Sequence, residues 1–195
     1  YTFHTNEEEY RKKPMEWWEN YVQKYTETVR KNADIIFSCV NLDIANIVGQ
    51  EKVEEWNEKY FRPLEDLGVL VCHVWHEFDG DAMWEEMCRK YRYVGFSLAV
   101  GDIDEAKVSR MFNIAKKHNT LVHGFAITRV ELMSRFPFYT GDSTTWLVGT
   151  KFGELNWFDG RRMIRLKKAQ WKRQYKVKFI KLGANWELAE KENPY

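Results

Sequence analysis

Three cysteines in 195 residues, Cys39, Cys72 and Cys88, leave little room for sulfur chemistry. Their number is odd, they lie far apart, and no Cys-x-x-Cys occurs. That argues against a disulfide framework and against a four-cysteine zinc site. Cys39 and Cys72 fall inside apolar runs and read as buried, reduced thiols of a cytoplasmic protein. The chain also lacks an apolar run of about 18 residues, so no membrane-spanning helix and no membrane partner are expected. It has no Gly-x-Gly-x-x-Gly and no Gly-x-x-x-x-Gly-Lys-Ser/Thr turn, which removes the usual sequence marks of dinucleotide and P-loop binding. Nor is there an excess of one charge: 30 basic and 29 acidic residues leave a net charge of +1.

What is present is aromatic. Phe, Trp and Tyr make up 16% of the chain, with nine Trp, more rings than a core of this size needs, so some are expected to serve as binding faces. The charge is also unevenly placed. Arg161 to Lys181 holds ten Lys or Arg and no acid, leaving a net of −9 on the remainder. A block of one sign reads as a cationic face for a phosphate backbone. Arg161, Arg162, Arg165, Lys167, Lys168, Lys172 and Arg173 are its candidate contacts. Trp171, Tyr175 and Phe179 recur at a helical interval within it. The organisation expected is a barrel domain over 1–160 and a basic C-terminal segment over 161–195. The chain opens on Tyr1 in mid-pattern, which reads as a fragment or a processed product.

Five apolar runs have strand character: 35–40, 69–74, 93–100, 121–127 and the neighbourhood of Phe138–Tyr139. Helical patterns fill the gaps, at 16–31, 50–67, 81–89, 104–118 and 129–135. Gly68 is a helix stop and Asp104 a cap. Alternating strands and helices imply an α/β protein with a buried parallel sheet. Without a glycine-rich first turn, the expectation is a (β/α)8 TIM-type barrel, incomplete or truncated, with the basic C-terminal extension.

In such a sheet the residues just past each strand share one mouth. They include Asn41 and Asp43, His76 and Glu77, Ser97 to Gly101, His123 and Thr128, and Asp142 with Ser143 and Thr145. Asp43 and Asp142 are the candidate catalytic pair, because two acids in different environments can divide base and acid roles. Gly101 closes the turn Ser97-Leu98-Ala99-Val100-Gly101, where backbone N–H groups can approach a ligand closely. His73, His76 and His123 also allow a metal reading with Asp43 or Asp142 as a further ligand, and an alternative function is a metal-dependent barrel hydrolase using His76, His123 and Asp43. No cofactor is required.

The order of these pieces resembles the tRNA-guanine transglycosylase superfamily, and more closely its phage and bacterial relatives implicated in placing deazaguanine bases in DNA. The resemblance rests on Asp34–Asp43 (DIIFSCVNLD), Tyr93–Gly101 (YVGFSLAVG), Leu121–Thr128 (LVHGFAIT) and Thr140–Trp146 (TGDSTTW), and covers roughly 34–153. It implies a base-exchange glycosyltransferase in which an Asp carboxylate attacks C1′ of an unstacked nucleotide. Asp142 would be that carboxylate, Asp43 would hold the base edge, and Ser97, Leu98, Ala99, Val100, Gly101, His123 and Trp146 would bind the base. The implied partners are nucleic acid, DNA or tRNA, and a guanine-like or deazaguanine base. A homodimer is compatible with this, as is the host cytoplasm if a phage encodes the chain. Two departures stand out. Thr145 occupies the position of the family's second acid, and the family's C-terminal zinc cluster is missing. Both favour the other alternative, a non-catalytic nucleic-acid-binding accessory protein.

Overall fold

Parallel pairing begins with a strand of three residues. In the computed structural model β1 (Ser38–Val40) lies beside β2 (Leu70–Trp75), with Ser38 opposite Leu70 and Val40 opposite Cys72. On its other side β2 pairs in parallel with β3 (Tyr93–Ser97), His73 opposite Val94 and Trp75 opposite Phe96. β4 (Leu121–Phe125) and β5 (Thr140–Gly141) complete a five-stranded, all-parallel sheet in the order β1-β2-β3-β4-β5. The structure describes residues 7–97, 104–143, 154–158, 163–167 and 176–181, together with Glu187. The chain divides into two compact units. One comprises 1–124 and 137–140, the other 125–136 and 141–195.

The α/β class and the parallel sheet follow the sequence pattern, but the closed eight-stranded barrel does not form. The sheet is an open half-barrel of five strands among the described residues. Closure would need about eight strands with a matching stagger. The later strands go elsewhere: β6 (Glu154–Phe158) and β7 (Met163–Lys167) pair antiparallel with each other as a separate two-stranded sheet. Within the basic block, Met163–Lys167 is therefore strand and Lys176–Lys181 helix. The sequential strand order also differs from a doubly wound sheet, whose order reverses at a switch point.

The helices occupy the predicted gaps. α1 (Glu7–Arg11) and α2 (Met15–Lys31) precede β1; α2 buries Trp18, Val22, Thr26 and Val29 on one stripe. After β1 come α3 (Ala45–Val48), α4 (Gln50–Trp56) and α5 (Arg62–Asp66). Pro63 has no N–H, and its ring crowds the carbonyl four residues earlier. Between α4 and α5 the helix widens into a π turn over Asn57–Phe61, where the Arg62 N–H reaches back five residues to the Asn57 carbonyl. Gly68, at φ 89°, ends this helical run where a side chain would be strained. α6 (Gly80–Lys90) and α7 (Glu105–Lys117) follow β2 and β3, and the Asp104 carboxylate caps α7 by accepting from the Lys107 N–H at 3.0 Å. α8 (Val130–Arg135) belongs to the second unit, as does α9 (Lys176–Lys181).

The core of the first unit absorbs much of the aromatic excess. Trp18, Trp56, Trp84, Tyr93, Phe61 and Phe96 are its largest fully buried side chains. Trp75, Trp84 and Phe96 meet edge to face, a favoured ring geometry. All three cysteines are buried. Burial pushes the Cys39 thiol up to about 11 and the Cys88 thiol up to about 12, so neither is a ready nucleophile.

Candidate functional site

Past the carboxyl ends of β1 and β2 the first unit opens into a cleft of about 670 Å3. Its wall combines apolar side chains, among them Leu42, Val53, Phe78, Met83 and Met87, with Asn41, Asp43, Glu54, Asn57, His73, His76 and Tyr91. A mostly apolar cleft with a few convergent polar groups is the usual form of a small-molecule site.

Two polar groupings line it. At the rim, Asp43 follows β1 and His76 follows β2, and His76 Nε2 lies 2.7 Å from Asp43 Oδ1. The Asp43 carboxylate raises the His76 pKa, with burial opposing. Asp79 fixes the start of the turn by accepting the His76 backbone N–H at 2.8 Å. The His76 ring stacks on Phe78 with centroids 5.0 Å apart and planes within 8°. Phe78 is nonetheless 84% exposed, so its outer face is open.

Deeper in, a chain of hydrogen bonds runs through Asn41, Asn57, Tyr91 and Glu54. Asn41 Nδ2 donates to Asn57 Oδ1 at 3.3 Å, Asn57 Nδ2 to the Tyr91 hydroxyl at 3.4 Å, and that hydroxyl to Glu54 Oε2 at 3.3 Å. Lys90 closes the chain by bonding the same carboxylate. His73 stacks on Tyr91 with centroids 3.5 Å apart, and burial lowers its pKa. Asn57, Tyr91 and Glu54 did not stand out as strand-end residues, because none of them ends a strand. The signal available for Asn57 is Pro63, six residues on in a helical pattern, which marks a local widening.

The predicted residues fall in several places. Asp43 lies in the cleft. Ser97 is the last residue of β3 and is exposed. His123 lies within β4, and its Nδ1 is 2.6 Å from Thr140 Oγ1 and 3.2 Å from the Tyr93 hydroxyl, a cross-strand cluster. In the second unit, Asp142 follows β5 and is exposed. Its Oδ1 accepts the Ala126 N–H at 2.9 Å, and Ala126 adopts a left-handed conformation with φ 58°. Arg165 lies within β7 and Lys167, exposed, ends it. Leu98, Ala99, Val100, Gly101, Trp146, Arg161, Arg162, Lys168, Lys172 and Arg173 lie outside the described residues.

Asp43 and His76 meet, as the metal reading requires. Among the described residues, however, no group of three or more His, Cys, Asp or Glu side chains is placed to hold a metal ion. Also among those residues, no helix is long and apolar enough to cross a membrane. Comparisons with protein-family models, with curated proteins and with solved structures returned no match.

Proposed function

We propose that the protein is a base-exchange glycosyltransferase of the transglycosylase type, acting on a guanine-like base in nucleic acid. The observation that carries the reading is the position of Asp142, just past the carboxyl end of β5, where the resemblance puts the attacking carboxylate. Reactive groups gather at that end in parallel α/β proteins. Asp142 has the chemistry of the attacking carboxylate. Its oxygen bonds C1′ as the C1′–N bond to the old base breaks and the electron pair leaves with that base. A ring nitrogen of the incoming base then attacks C1′ as the C1′–O bond to the carboxylate breaks, and the proton it loses passes through solvent to the departed base anion. In the first unit, taken by itself, Asp43 lines a cleft of about 670 Å3 and has the chemistry of a base-edge acceptor.

The test is incorporation of labelled guanine or a deazaguanine into tRNA and into DNA, run separately. Asp142→Asn keeps an oxygen for the Ala126 N–H but cannot attack, so incorporation falls by at least about 1,000-fold. Asp142→Ala forms no covalent adduct with nucleic acid. Wild-type incorporation in both variants would end the reading. Salt-sensitive binding through Arg161–Lys181 without turnover in the wild type would instead favour an accessory binding protein.

A further inference from the structure

Among the described residues, two buried side-chain polar atoms have no hydrogen-bond partner, Asn41 Oδ1 and His73 Nδ1. Buried polar groups in folded proteins are rarely left unpaired, so each unpaired atom calls for an explanation. These two are neighbours by construction. The register Val40 opposite Cys72, continued by the Asn41 N–H donating to the Cys72 carbonyl at 3.0 Å, sets Asn41 beside His73 on adjacent parallel strands. Such strands lie about 4.8 Å apart, and residues side by side project from the same face. Both residues line the cleft, Asn41 91% and His73 98% buried.

The hydrogen-bond chain behind them fixes their polarity. A carboxylate only accepts, so the Tyr91 hydroxyl must donate to Glu54. That leaves the hydroxyl oxygen to accept from Asn57 Nδ2, and Asn57 Oδ1 to accept from Asn41 Nδ2. Asn41 therefore turns an acceptor, Oδ1, to the unfilled position. For His73 the Glu65 carboxylate, 3.9 Å from Nε2, favours the proton on Nε2. With the ring neutral, as burial dictates, Nδ1 is an acceptor as well. Two unpartnered acceptors on adjacent strands of the cleft wall call for two donors.

We infer that the inner end of the cleft is a subsite for a flat ligand bearing a ring N–H next to an exocyclic amino group, bound by Asn41 Oδ1 and His73 Nδ1. Met83 and Met87, unbranched and adaptable, line the same cleft and can repack around such a ring. The subsite shares the cleft with the base-exchange reading but needs none of its chemistry, neither Asp142 nor nucleic acid.

The experiment is titration calorimetry of the whole chain with 2-aminopyrimidin-4-one and with pyrimidin-4-one, which differ only in the amino group. The wild type is expected to bind the amino compound at least about tenfold more tightly, because a missing donor leaves a buried acceptor unpaired. His73→Phe keeps the stack on Tyr91 and removes the acceptor, so the preference should fall below about threefold while the thermal midpoint holds or rises. Nitrogen NMR of wild-type His73 should show Nδ1 shifting on addition of the amino compound. Equal binding of the two compounds, no binding of either, or a preference retained in a folded His73→Phe would each overturn the inference. Loss of base exchange in the Asp142 variants leaves these measurements untouched, so the two ideas fail separately.

Discussion

His76 Nε2 and Asp43 Oδ1 approach to 2.7 Å across the ends of two adjacent parallel strands, joining residues 33 positions apart in the chain. The bond raises the folded-state pKa of His76 above its ordinary value near 6.5. The stabilisation it gives is fully present below about pH 6.5 and is lost as the pH rises through the raised value. Both side chains are about one-third exposed, which limits the contribution to about 1 kcal/mol. Asp43→Asn is expected to return His76 to an ordinary titration, followed by ring NMR. It should lower stability at pH 5.5 more than at pH 9, measured by urea unfolding. Equal losses at both pH values would mean that the pair is not coupled in solution.

Phe78 offers the cleft an open aromatic face while its other side rests on His76. A side chain this exposed contributes little to folding, so Phe78→Ala should change stability by no more than about 0.5 kcal/mol. A flat base stacked on that ring would lose about 1 kcal/mol or more of binding. Calorimetry with guanine against the variant and the wild type separates the two effects. Unchanged affinity would place the base elsewhere in the cleft.

Glu19 is the hub that ties α2 to the π turn. Its carboxylate accepts from Lys59 Nζ at 2.8 Å, from the Tyr60 hydroxyl, and from Trp56 Nε1 at 2.7 Å. The Lys59 bond, then Tyr60, hold its pKa down to about 2 from an ordinary 4.5. A depressed carboxylate stabilises fully above the unfolded value, and that stability drains away as pH falls from about 4.5 towards 2. Glu19→Gln should therefore cost about 1–2 kcal/mol at pH 7, discounted for partial exposure, and almost nothing at pH 2. Denaturant titrations at the two pH values check this.

The legibility of the fold followed local physics. The strand runs at 69–74 and 121–127 were readable because apolar, β-branched residues end at polar ones, and β2 and β4 form there. Asp104 was readable as a cap because a short acceptor preceded an amphipathic stretch. Closure of the sheet was not readable, since it depends on how many strands join it, a property no single window carries. In the basic block the helical recurrence of Trp171, Tyr175 and Phe179 lies beyond the strand at Met163–Lys167, whose partner Glu154–Phe158 precedes an Asp-Gly, a hairpin signal. At the site, Asp43 was visible as a strand-end acid. The Asn57–Tyr91 chain was not, because it joins a π turn to the end of α6, and only the folded packing brings those together.

The approach to Asp142 is tightly built at Gly141. A Cβ added to Gly141 would lie 2.5 Å from the Ile127 carbonyl oxygen and 3.3 Å from Met133 Sδ and Cε. Backbone cannot yield as a flexible side-chain tip does, so one of the two segments must move. Residues 126 and 127 are also the turn whose Ala126 N–H holds the Asp142 carboxylate. Gly141→Ala should thus cost about 1–3 kcal/mol in stability and loosen the Ala126–Asp142 bond. Amide hydrogen exchange at Ala126 reads that bond directly and should accelerate in Gly141→Ala, as it should in Asp142→Ala. In Asp142→Asn, which keeps the acceptor, it should stay close to wild type. Protection unchanged in Gly141→Ala would mean that the turn absorbs the extra methyl group without moving the carboxylate.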